Sequence, residues 1–298
     1  MISAARGILP VWRWARSTGR FRLLLPLMLV TANAAADPAG PVLPPPLAAA
    51  SPPRSAEADA ETYDRCMKLA RENPREAQTL AQAWLARGGA HPADHCAAVA
   101  LIALGKYQEG ATRLQALAQA MILKAPAALR ADVLDQAGQA WLLAGDPVRA
   151  YAAEGQAVSL KPSDPDLLID RAEAAASAGY LDQAVADLDR VLKTHPDRVD
   201  ALIYRASAYR ALDRLDPARA DIDKALARAP HSAAALLERG NIRRLEGDAT
   251  GARGDWEEVG HIAPGSPADM AARANLEHLA SGNGAVPPAT PIGKPPPQ

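Results

Sequence analysis

The chain has 298 residues, a formal net charge of −1, and an aromatic content of 4% that includes a single Phe. That length suits one large domain or two small ones, while so few aromatic residues in an alanine- and leucine-rich chain exclude a β-sandwich. A large pocket lined by rings is excluded on the same ground.

In chain order, Arg6, Arg13, Arg16, Arg20 and Arg22 come first and an apolar run from Leu23 to about Ala32 follows. Ala34 and Ala36 then stand before Asp37. This is the layout of a secretory signal peptide over residues 1–36. The apolar run is about ten residues, whereas a bilayer span takes ~20. Cleavage after Ala36 starts the mature chain at Asp37, and Ala32-x-Ala34 is the competing site. Export predicts a periplasmic or secreted protein with no membrane span after cleavage. Loss of the five leader arginines, with no Lys or acid beside them, takes the charge from −1 to −6. No Lys/Arg cluster survives to neutralise phosphates, so no nucleic-acid partner is expected.

Residues 37–59, with Pro44-Pro45-Pro46 and Pro52-Pro53, predict a disordered linker, and 281–298, closing on Pro295-Pro296-Pro297, a disordered tail. Between them lies the ordered part, about 60–280. There a 34-residue period decides the architecture. Pro162, Pro196, Pro230 and Pro264 keep it, as do Ala150, Ala184, Ala218 and Ala252. So do Leu134, Leu168, Leu202 and Leu236, and the small residues Gly138, Ala172, Ala206 and Gly240. Gly145, Gly179 and Gly247 form a further series in which Asp213 fills the missing slot. The small residue permits close helix approach. The Gly or Asp allows a left-handed turn after a first helix, and the Pro stops the second helix. Helical apolar spacing, as in Leu167, Leu168, Ala172 and Ala175, fills the intervals. Each unit therefore reads as helix–turn–helix.

In this pattern the chain resembles the tetratricopeptide-repeat (TPR) proteins. The registered units are 131–164, 165–198, 199–232 and 233–266. The third shows the motif as Leu202, Ala206, Tyr209, Asp213, Ala218, Ile222, Ala225 and Pro230. Arg243 stands in an aromatic slot and Glu154 in a large apolar one. Looser units are expected at about 60–90 and 91–124, an insertion at 125–130, and a capping helix at 267–280. The resemblance implies an all-α, right-handed superhelical solenoid whose concave face binds a protein or peptide partner.

The family's concave positions imply a groove with an aliphatic floor at Ile169, Ile203 and Leu237. Glu173, Ser207 and Asn241 are its polar residues, and Arg210 with Arg244 makes a basic end. Such a groove would take a segment with apolar anchors and an acidic residue near the arginines; the family's carboxylate clamp is not reproduced. Cys66 and Cys96 are the two cysteines of an exported chain. Their separation, near one repeat, sets them on neighbouring first helices of this fold, so a disulfide is expected. Arg171, Arg205 and Arg239 at the seventh position of their units accompany Asp187, Asp221 and Asp255 at the twenty-third. The unit at 131–164 lacks both charges, which predicts ion pairs between the two helices of one unit.

His91, His95 and Cys96 have close spacing, but no second cluster completes a four-ligand set. They read as a helix start with a structural Cys, so no metal and no cofactor are expected. No nucleophile elbow, phosphate loop or dinucleotide fingerprint is present, so no catalytic residue is assigned and the chain is not expected to be an enzyme. The expected function is a periplasmic interaction scaffold or adaptor, as a monomer or weak homo-oligomer. The alternative is a self-associating structural component of an envelope or secretion assembly.

Overall fold

In the computed structural model residues 56–281 are described; the expected signal peptide, most of the expected linker and the expected tail beyond 281 lie outside the described residues. The described residues form α1 (Ala56–Glu72), α2 (Pro74–Leu85), α3 (Ala90–Ala103), α4 (Tyr107–Ala120), α5 (Ala127–Leu143), α6 (Pro147–Leu160) and α7 (Pro165–Ser177). Next come α8 (Leu181–Thr194), α9 (Val199–Ala211), α10 (Leu215–Arg228), α11 (Ala233–Leu245), α12 (Ala249–Ile262) and α13 (Pro267–Ala280).

Two expected boundaries need correcting. Residues 56–59 are the first turn of α1 rather than linker, since the alanines and acids there favour a helix start. The expected insertion at 125–130 is mostly helix. Ala127 to Arg130 extend the front of α5, and Pro126 stands at its N-cap position.

Local chemistry fixes the helix ends. Asp164 caps α7 by accepting from the Asp166 and Leu167 amides, with Pro165 in the first turn. Asp146, Ser232, Asp248 and Ser266 cap α6, α11, α12 and α13 in the same way. The turn after each registered first helix needs a left-handed residue: Gly145, Gly179 and Gly247 have φ of 77°, 83° and 87°. Asp213 takes φ 59° in the corresponding slot, a conformation that acidic side chains tolerate better than most.

Packing is between neighbours along the chain, which makes the molecule a helical repeat solenoid. The helices of each pair pack together, and each second helix packs on the next first helix. First helices also touch one another, α5 on α7, α7 on α9, α9 on α11 and α11 on α13, whereas second helices of successive units show no comparable contact. The first helices therefore lie closer together and form the inner side of the curve.

The core runs through these contacts. Ala150, Ala184, Ala218 and Ala252 are buried, and so are Leu134, Leu168, Leu202 and Leu236. Burying each leucine contributes roughly 1.5–3 kcal/mol. The short alanines let the paired helices approach closely enough to bury them. At the other end, α13 takes the place of a fifth first helix, packing on α11 and α12.

Candidate partner-binding face

The inner face carries the sequence-predicted groove residues, but not in the expected roles. Ile169, Ile203 and Leu237 are 0%, 7% and 6% exposed and belong to the core. They are not a groove floor, because adjacent first helices approach closely enough to cover them. Arg210 and Arg244 do not form an open basic pair either. The Arg210 guanidinium is buried, with Nε 2.5 Å from Oε1 of Glu238, itself fully buried on α11. Glu238 absorbs that charge, leaving Arg244 half-buried at the C-terminal end of the face.

The polar positions are likewise tied together. Tyr204 Oη donates to Glu173 Oε2 at 3.2 Å across neighbouring first helices. Asn241 donates through Nδ2 to Glu238 Oε2 at 3.3 Å and accepts from Asn275 Nδ2 of α13 at 2.8 Å. Ser207 is half-buried and receives a long contact of 3.5 Å from Arg210. Further along the same side, Gln139 bonds Asp135 at 3.2 Å, and Arg198 spans Asp166 at 2.5 Å and Asp200 at 2.9 Å. The accessible part of the face is therefore polar, made of Asp135, Gln139, Tyr204, Ser207 and Arg244, over a closed aliphatic layer.

The charged residues between the helices of one unit have a different role. Arg171 Nε donates to Asp187 Oδ2 at 2.7 Å. Arg205 grips Asp221 through two nitrogens at 2.7 Å each and reaches Asp189 of α8 at 2.6 Å. Arg239 lies 2.7 Å from Asp255, and Arg243, in its aromatic slot, joins the same carboxylate at 2.8 Å. The hydrogen bonds to Asp187 and Asp221, both buried, hold the Arg171 and Arg205 pKa above the usual arginine value. These groups brace the helix pairs from within and present no open charge to a ligand.

The N-terminal units are braced in two ways. Cys66 and Cys96 form a disulfide joining α1 to α3, with Cα atoms 6.1 Å apart and both residues wholly buried. Beside it His95 is buried between two partners. Its Nε2 is 2.8 Å from Gln136 Oε1 on α5, and its Nδ1 is 2.9 Å from Tyr63 Oη on α1. Gln136 Oε1 only accepts, so Nε2 carries the proton and Nδ1 accepts from Tyr63. Burial lowers the His95 pKa from 6.5 and raises that of Tyr63 to about 12, with Asp64 adding to the latter. Both His95 ring nitrogens are thus engaged, and Cys96 is held in the disulfide.

Glu238, Arg198 and the Tyr63–His95–Gln136 chain were not apparent from the sequence pattern. A signal existed for the first: Arg210 and Glu238 are the twelfth position of one unit and the sixth of the next. The same two slots hold Leu142 with Asp170 and Ala176 with Tyr204, so the two charges coincide only once. Nothing in the repeat pattern marks the His95 chain.

Solved structures share this arrangement. That of PilW, described as a widely conserved type IV pilus biogenesis factor, is 18% identical; the match covers 74% of this chain and all of that one, with a TM-score of 0.58. A tetratricopeptide-repeat protein from Parabacteroides merdae is 14% identical, over 77% of this chain and 87% of that one, with a TM-score of 0.56. TTC0263, a thermophilic TPR protein of Thermus thermophilus, is 19% identical over 64% of this chain and all of its own, with a TM-score of 0.51. The fold is the tetratricopeptide-repeat fold. No family model matches the sequence, and no curated protein matches it. At these identities the likeness establishes the TPR architecture alone. Among the described residues no helix is long and apolar enough to cross a membrane, and no group of three or more potential metal ligands occurs.

Proposed function

We propose that the chain is a non-catalytic interaction scaffold of the bacterial periplasm that holds a segment of a partner protein against its first-helix face. The observation that carries this is the half-open polar row of Gln139, Tyr204, Ser207 and Arg244 on the concave side of a TPR solenoid. Groups of this kind bond the backbone and side chains of an extended or helical segment. The aliphatic layer beneath keeps the face rigid, which lowers the ordering cost of binding. The Arg-rich leader supports export. The likeness in fold to a pilus biogenesis factor fits work in the cell envelope.

The test is affinity capture from the envelope with a tagged mature chain, beside a Ser207→Trp variant that fills the face. A partner held by the native chain and lost by the variant supports the reading. Equal capture by both would move the site elsewhere. Mass measurements that rise with concentration, with no captured partner, would favour self-assembly instead.

A further inference from the structure

Six arginines lie in α7, α9 and α11, and five of them meet a carboxylate: Arg171, Arg205, Arg210, Arg239 and Arg243. Arg244 is the exception, and no carboxylate among the described residues pairs with it. It follows Leu237 and Asn241 by seven and three residues and so shares their face of α11. It is half-buried, and a guanidinium drawn partly out of water without a counter-ion is costly. Burial and the positive Arg210 nearby both lower its pKa from the usual arginine value. The surroundings offer it no relief. Glu238 is already bound to Arg210 and Asn241, and the Asn241 oxygen is occupied by Asn275. We infer that Arg244 is the anchoring cation of the inner face and takes an aspartate or glutamate side chain of the partner segment.

The inference rests on the reading of that face as the binding site. A side chain suits it better than a chain terminus. Gripping a terminal carboxylate takes several convergent donors, and the amide beside Arg244 is already spent on Glu238. A lone guanidinium fork matches one carboxylate with two parallel bonds. The basic end expected from sequence thus narrows to one residue.

The experiment selects random dodecamers displayed on phage, fused so that no peptide has a free C-terminus, on the full mature chain. The enriched peptide is then synthesised with an amidated end. Affinities are measured for the native chain, Arg244→Ala and Ser207→Trp, and for the peptide with each acid changed to its amide. Arg244→Ala breaks no ion pair, so its circular dichroism should match the native chain. The expected result is an acidic residue at one fixed position of the enriched peptides. Neutralising it, or changing Arg244, should weaken binding by about tenfold, and doing both should weaken it little further. Enrichment without a fixed acid, or a peptide indifferent to Arg244→Ala but blocked by Ser207→Trp, would overturn the Arg244 assignment and leave the inner-face reading standing. Binding unaffected by Ser207→Trp, or no enrichment at all, would remove both.

Discussion

Trp256 occupies the space a side chain on Gly240 would need: a Cβ built on Gly240 would lie 2.5 Å from the indole Nε1. Both residues recur by repeat. Position eight holds Gly138, Ala172, Ala206 and Gly240, and position twenty-four holds Glu154, Leu188, Ile222 and Trp256. Where the partner is Leu or Ile an alanine fits. Where it is Trp or the buried Glu154, the facing residue is glycine. Gly240→Ala should therefore destabilise by about 1–3 kcal/mol despite the better helix propensity of alanine. Adding Trp256→Leu should relieve the clash and reduce the penalty of the alanine. Urea unfolding of the single and double variants checks this, and a penalty unchanged by the Leu background would refute the steric account.

Arg205 should be the most sensitive of the repeated arginines, since it bonds both Asp221 in its own unit and Asp189 in the one before. Arg205→Ala strands the buried Asp221, and loss of one partner of a buried pair costs about 3 kcal/mol. Replacing Asp189, half-exposed at 51%, should cost well under 1 kcal/mol. Denaturation midpoints of the two variants give the comparison; equal losses would mean that Asp221 is not the partner that matters.

His95 makes stability pH-dependent. Its folded pKa lies below 6.5 because burial disfavours the charged ring, so below that pH the unfolded chain binds more protons than the folded one. The contribution is present above the unfolded pKa and is lost as pH falls from about 6.5 toward the folded pKa. The native chain should lose stability between pH 7.5 and 5.5 by more than a His95→Gln variant does. Parallel urea curves at the two pH values would settle it, since the remaining histidines are common to both proteins.

Removal of the disulfide should act mainly at one end. The bond closes a loop with a sequence separation of 30, and such a crosslink contributes on the order of 3 kcal/mol. In a Cys66→Ser, Cys96→Ser chain, hydrogen exchange should quicken first in α1 and α2, while α9 to α12 keep their protection. Uniform loss of protection would show the solenoid unfolding as one unit.

The repeat architecture was legible because it rests on backbone rules: a left-handed residue at the turn, a small residue at the contact and a proline at the stop, each at fixed spacing. The arginine–aspartate positions could be read from their joint presence and joint absence by unit. The proposed binding face could not. Ile169, Ile203 and Leu237 occupy positions whose exposure depends on how closely neighbouring first helices approach, a distance no single repeat encodes. Arg210 looked available because its partner, Glu238, sits on another unit. The chain from Tyr63 through His95 to Gln136 joins three helices in the region where the repeat pattern is weakest.

The bond between Cys66 and Cys96 also determines how the solenoid carries tension. A pull applied between Ala56 and Ser281 peels the first turns of α1 and then passes through the sulfurs directly to α3. The residues between the two cysteines are bypassed and contribute no extension. At the opposite end α13 packs mainly on α11 and α12, with Asp269 and Ala272 its buried residues. The array should therefore yield from its C-terminal end, and the load should part the Asn241–Asn275 contact before it disturbs any unit upstream.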